Sequence, residues 1–363
     1  MTHDPRLLLK GTDWSSLEHA EGPAEDTPVH LSRLLDEDAG VRSEALERLE
    51  ETLLPGGALF SATAPAALFV AAILADPRTL GQWKSPHPWY DLRHPFRARL
   101  LEWLDDLAEN AVRGDPDRPA AADACRAARP AVHDAVSPYI DDPDPIVREA
   151  ALGAACALLK ASDLAERRPE AAARVRRVLA TCGGRRERAV AILALGRWGH
   201  DTTPLLADPD PAVRVCAALS PGLAGNPQAT RVLLDALQDP AAADAWFTVP
   251  LPQFDGWFRF TLLAALLERT TAFEDVLPAA LAVARITSDF TVDRDWGPLL
   301  ARAFPRPYVP GDPLTAAQRA FLGALAGNFG CFRDDIPDRL PWLHGAGLPG
   351  ARPAVQALLD RTP

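Results

Sequence analysis

Three stretches gather the side chains best suited to recognition or chemistry. Residues 76–94 hold Trp83, Lys84, His87, Trp89, Tyr90, Asp91, Arg93 and His94. Residues 239–254 hold Asp244, Trp246, Phe247 and Phe254, and run on into Asp255, Trp257 and Phe258. Residues 287–295 hold Asp289, Phe290, Asp293, Arg294 and Asp295, just before Trp296. Tryptophan and tyrosine mixed with charge are the residue types of interface hot spots, because a large ring gives up much water while its polar edge fixes orientation. The residues expected to touch a partner are Trp89, Tyr90, His94, Trp246, Phe254, Asp255, Trp257, Asp293, Asp295 and Trp296. The plainer alternative is that these rings seal exposed helix ends.

Catalytic and metal readings of the same stretches are weaker. His87, Asp91 and His94 are ligand types that suit zinc, but Pro86, Pro88 and Pro95 interrupt any helix that would align them. Asp289, Asp293 and Asp295 lack the glycine and glutamate of a calcium loop. There is no G-x-S-x-G, no G-x-x-x-x-G-K and no H-E-x-x-H. Gly345, Gly347 and Gly350 match G-x-G-x-x-G in letters, but the run contains Pro349 and follows no predicted strand. No catalytic residue, metal ligand or cofactor is assigned.

These stretches interrupt a repeated pattern. Asp36-Glu37-Asp38-Ala39-Gly40-Val41-Arg42 is echoed by Asp142-Pro143-Asp144-Pro145-Ile146-Val147-Arg148 and by Asp208-Pro209-Asp210-Pro211-Ala212-Val213-Arg214. The intervals of 106 and 66 residues are near multiples of a 33- to 35-residue repeat. Asp144 and Asp210 stand where a carboxylate can cap a helix, and Pro145 and Pro211 stand at the first helical position, where a missing N–H costs nothing. Val147, Ala151, Leu152, Ala155 and Leu159 then recur at helical spacing, as do Val41, Ala45, Leu46 and Leu49. Such a stripe can be buried only against neighbouring helices, so the pairs must stack. The expected pairs are 27–36 with 39–52, 64–75 with 95–112, 120–140 with 145–160, 169–181 with 185–197, 201–207 with 211–224, 227–238 with 255–269, 273–286 with 296–304, and 315–326 with 351–361. Pro221 should kink or end its helix. The long turns all fall inside pairs and should emerge on one edge.

Composition agrees with a folded chain: 48% hydrophobic and 24% charged residues in 363. No apolar run is long enough to cross a membrane, and Met1 to Arg6 show no export signal. The five cysteines form neither a CxxC pair nor a small disulfide framework, so reduced thiols in a cytoplasm are expected. A net charge of −11 disfavours nucleic acid as a partner. The charge is uneven: residues 1–60 carry 13 acidic against 5 basic side chains, while 166–188 carry eight arginines against three glutamates.

The Asp-Pro-Asp-Pro-x-Val-Arg turn between two helices resembles that of HEAT repeats, a resemblance that extends over most of the chain. It implies that Asp38, Asp144 and Asp210 pair with Arg42, Arg148 and Arg214 along the array as structural ladder residues. The run Trp14-Ser15-Ser16-Leu17-Glu18-His19-Ala20, continuing through Gly22, Ala24, Asp26 and Pro28, is similar to the opening of uncharacterised HEAT-repeat proteins of high-GC bacteria, with which 35 arginines against 3 lysines agree. In that group a His-Gln-Gly precedes Ala-Thr-Ala; here Ala62-Thr63-Ala64 is kept, but Pro55-Gly56-Gly57 stands in place of the former, so any role of that histidine is absent.

The expectation is therefore an all-α, right-handed α-solenoid of roughly eight HEAT-like helix pairs. It would span 1–363 as one domain, with an N-terminal cap at 1–26 and a divergent C-terminal cap at 305–363. The expected function is non-catalytic protein binding, as a scaffold or a toxin-neutralising immunity-type protein. The partner would be another protein rather than nucleic acid or membrane. The alternative is an enzyme on the same scaffold. It would be either a biosynthetic enzyme with an aromatic-lined pocket or an activity like that of the alkylpurine DNA glycosylases, for which Trp103, Asp105, Asp106, Trp198 and Asp201 are the candidates.

Overall fold

The computed structural model describes residues 4–84, 94–254, 256–333 and 337–361. The chain divides into two compact units, Met1–Trp198 and Gly199–Pro363. The described residues are almost wholly helical, with eighteen α-helices and one pair of two-residue strands.

The N-terminal unit opens with α1 (Pro5–Gly11) and a small antiparallel hairpin of β1 (Glu18–His19) and β2 (Gly22–Pro23). Then come α2 (Thr27–Arg33), α3 (Ala39–Leu53), α4 (Thr63–Ile73), α5 (Phe96–Arg113), α6 (Pro119–Val136), α7 (Pro145–Leu158), α8 (Arg168–Thr181) and α9 (Arg185–Arg197). Alternate helices stack: α4 on α6, α5 on α7, and α7 on α9. This explains the composition of α7, where a run from Ala150 to Leu158 is buried all round. A helix held between two others has no wet face, and alanine lets the axes approach closely.

The C-terminal unit holds α10 (Pro211–Ala218), α11 (Pro227–Ala236), α12 (Pro240–Ala245), α13 (Phe258–Arg269), α14 (Phe273–Ile286), α15 (Trp296–Ala303), α16 (Ala316–Gly327), α17 (Arg339–Gly345) and α18 (Arg352–Arg361). Here α14 packs on α16, α16 on α18, and α15 on α17, while α12 fits against both α13 and α14. No helix among the described residues is long and apolar enough to cross a membrane.

The seven-residue signature builds the same turn three times. Asp36, Asp142 and Asp208 each accept the backbone N–H of the aspartate two residues on, at 2.9 Å. That second aspartate caps its helix: Asp38 accepts from Gly40, Asp144 from Ile146 and Asp210 from Ala212. The arginine then folds back over the turn. Arg42 Nη1 donates to the carbonyls of Asp36 and Glu37, Arg148 Nη1 to those of Asp142 and Pro143, and Arg214 Nη1 to those of Asp208 and Pro209. The resemblance implies aspartate–arginine pairs between repeats; what the three arginines share is a clamp on the carbonyls of their own turn. Arg148 also reaches a neighbouring pair through Glu187, with Nε 2.9 Å from its carboxylate, and Arg42 lies over the Phe96 ring at 5.5 Å.

Two expected elements differ. Residues 201–207 form a single 3-10 turn, Thr203–Ala207, because Pro204 and the Asp208 turn leave no room for a longer helix. The stretch 239–254, read as a loop, contains α12, started by Asp239 as cap and Pro240 at the first position. As Pro221 requires, α10 stops at Ala218.

Candidate functional site: an aromatic pocket backed by buried charge

In the C-terminal unit α12 ends at Ala245 with Trp246 as its C-cap, and α13 begins at Phe258 with Trp257 as its N-cap. Phe258 is the centre of a ring cluster. The ring of Phe247 stands edge-on to it at 5.1 Å, that of Phe254 is tilted at 5.3 Å, and that of Trp246 lies at 6.2 Å. Between the loop and the helix lies a pocket of about 230 Å³, lined by Phe247, Pro250, Leu251, Phe254, Trp257 and Phe258 with Thr248 and Gly256. Phe258 is its buried floor, whereas Trp257 is 56% exposed at its mouth. Gly256 permits this arrangement: its φ of +78° favours glycine, and a Cβ there would meet the Phe260 ring at 3.1 Å.

Directly behind the rings is a buried charge triad. Arg259 donates through Nη1 to Asp244 Oδ2, its backbone N–H reaches Asp244 Oδ1 at 2.9 Å, and its guanidinium lies 3.5 Å from Asp295 Oδ2. The guanidinium also sits 5.4 Å from the Trp257 ring centre and 4.7 Å from that of Phe260. All three charged side chains are buried, Asp295 completely. Asp295 also accepts from the Thr287 hydroxyl and the Trp296 backbone N–H, both at 2.6 Å. Burial pushes the Asp295 pKa up, while Thr287, the Trp296 amide and Arg259 oppose that rise. The triad thus ties α12, the start of α13 and the start of α15 together beneath the pocket.

The structure brings Trp246, Phe254 and Trp257 of the expected set into one cluster, with Asp295 below it. Asp295 and Trp296 are completely buried, so neither presents a surface to a partner; Trp296 Nε1 is used up on the Ser288 carbonyl at 3.0 Å. Asp293 is exposed and accepts from Trp342 Nε1. His94 belongs to the N-terminal unit, where its Nε2 lies 2.9 Å from Glu102. Trp89, Tyr90 and Asp255 lie outside the described residues, as do His87 and Asp91 of the metal reading. Asp289, Asp293 and Asp295 do not converge: Asp289 is held by the Arg333 amide and Arg339, and the others have the partners already named. No group of three or more His, Cys, Asp or Glu among the described residues could hold a metal ion.

The residues of the enzyme reading occupy other surroundings. Trp103 and Trp198 are buried, and each leaves its indole N–H without a partner. Asp105 is buried on α5, and its pKa is pushed well up by burial, then by the charges of Glu109 and Asp106, with Lys160 opposing. Around it the carboxylates are paired: Glu50 and Glu102 with Arg99, Glu109 with Lys160 and Arg197, and Glu149 with Arg186. Asp201 is exposed in the other unit and accepts from the Thr203 amide.

Sequence reasoning named Asp244 in its stretch without placing it in the expected contact set, and passed over Arg259 and Gly256. Nothing local signals that Asp244 and Arg259 pair, since fifteen positions separate them. No family model, curated protein or solved structure matches the chain.

Proposed function

We propose that the chain is a non-catalytic protein-binding α-solenoid of HEAT type that uses the aromatic pocket of its C-terminal unit to hold an apolar side chain of a partner polypeptide. The observation that carries this reading is Trp257, a large ring more than half exposed yet held in place by a buried charge triad and an obligatory glycine. An exposed aromatic over a preformed apolar pocket is the usual makeup of an interface hot spot, since the ordering cost is met before the partner arrives. The solenoid reading is supported by three identical clamp turns and by the stacking of alternate helices.

The test is selection of a random heptapeptide library on the full chain, followed by affinity measurements on Trp257→Ala. Selected peptides should share an aromatic or branched aliphatic anchor and bind the variant roughly 30-fold more weakly, the equivalent of about 2 kcal/mol. Peptides that bind Trp257→Ala as well as the parent chain would remove the pocket from consideration. The enzyme reading retains one specific observation, the buried Asp105 with its raised pKa. It predicts an activity that Asp105→Asn abolishes without unfolding the chain.

A further inference from the structure

We infer that the partner segment presents a basic side chain close in sequence to its apolar anchor. This rests on the pocket reading and adds the second half of the site. Beside the aromatic pocket is another, of about 210 Å³, lined in part by Arg214, Val232, Asp235, Asp239 and Trp246. Trp246 links the two: it lines the second pocket, and its ring packs on Phe258, the floor of the first.

The second pocket has the opposite chemistry. Asp235 and Asp239 are both exposed, and neither is ion-paired among the described residues. Asp235 accepts only from the side chain of Gln238 at 3.3 Å, and Asp239 uses one oxygen to cap α12 through the Ala242 amide. The cation that lines the pocket does not neutralise them. Arg214 is committed to the carbonyls of Asp208 and Pro209, the clamp that its turn requires. Two carboxylates facing one tethered guanidinium leave a net negative pocket, with Val232 and the Trp246 ring to cover an aliphatic stem. That pairing of acid with apolar wall suits the long stem and charged head of arginine or lysine.

Trp246 touches both the acidic pocket and the floor of the aromatic one, so a polypeptide with a basic side chain a few residues from an apolar one can fill both at once. A net charge of −11 on the chain favours its approach.

The test uses the heptapeptides selected above, synthesised with each basic residue kept or replaced by glutamine. The protein is the full chain and its Asp235→Asn/Asp239→Asn and Trp257→Ala variants. Asparagine keeps the cap of α12, and unchanged melting curves verify that the variants fold. The expected result is enrichment of arginine or lysine within a few positions of the anchor, with about a tenfold loss on change to glutamine. That loss should vanish in the double asparagine variant, while Trp257→Ala weakens both peptides alike. Peptides that depend on Trp257 but lose equally from glutamine in the parent and double variants would overturn the basic-residue inference and leave the pocket reading standing. Peptides indifferent to Trp257→Ala, or no selection at all, would overturn both.

Discussion

Replacing Arg259 with methionine is the sharpest perturbation of the site. It removes the only cation of the triad and leaves Asp244 and Asp295 facing each other in the interior, 7% and 0% exposed. Breaking a buried pair in this way costs about 3–5 kcal/mol, because the remaining charge has lost water and partner together. Part of the charge stays solvated by protein: Asp295 keeps the Thr287 hydroxyl and the Trp296 amide. Against that, the contacts of the guanidinium with Trp257 and Phe260 are also lost, worth about 0.5–2 kcal/mol. A net cost of about 4 kcal/mol follows, which lowers the melting temperature of a unit this size by about 8–16 °C. Scanning calorimetry on the full chain reads this as a downward shift of the transition that carries the C-terminal unit. The penalty should shrink as pH falls, since protons replace the missing guanidinium. Adding Asp244→Asn and Asp295→Asn should restore most of the loss, as neutral groups keep their hydrogen bonds without needing a counter-charge. A variant within about 1 kcal/mol of the parent at neutral pH, or a triple variant no better than the single one, would refute the view that the triad holds the pocket.

Asp105→Asn should stabilise the N-terminal unit at neutral pH by about 1–3 kcal/mol, read from thermal melts. The sign follows from linkage: a carboxyl whose pKa is raised on folding contributes fully below its ordinary value of 3.8, and that contribution is lost as pH rises through the displaced value. The gain should therefore disappear below about pH 4. Burial also raises Glu50, Glu149, Asp289 and Asp295, which should cost stability as pH climbs above about 4. Burial lowers His30 and His133, which should add stability as pH rises toward 6.5. Replacing the four carboxylates by their amides should remove the first effect alone, in a pH series of denaturant melts. Trp296→Ala should cost about 3–5 kcal/mol and Trp257→Ala less than about 1, measured by urea titration; equal costs would mean that Trp257 is core. Asp144→Ala should cost about 0.5–2 kcal/mol by the same titration, the value of one helix cap.

The helices were readable because each carries its own start signal and its own periodic stripe. Pro145 and Pro211 at the first helical position and Asp144 and Asp210 as caps act within a few residues, so no distant contact is needed to interpret them. The arginine that ends the signature is different. It can pair forward along the chain or fold back, and only the tertiary structure showed Arg42, Arg148 and Arg214 clamping their own carbonyls.

The site was readable in kind but not in detail. Aromatic residues crowded into long turns at 246–258 pointed to the stretch that lines the pocket, because no helical stripe accounts for them. Which rings face out is a different matter. Trp257 and Trp296 look alike as residues before or at a helix start, yet one is 56% exposed and the other fully buried. The difference comes from packing against α17, whose contact with α15 brings Trp342 close against Gly297. What the sequence by itself determined is local: caps, helix starts and the turns that interrupt them, all set by residues a few positions apart. The tertiary structure alone decided the rest. It joined Asp244, Arg259 and Asp295 into one buried triad and set Asp235 and Asp239 beside the aromatic pocket, because burial and charge pairing depend on which distant surfaces exclude water.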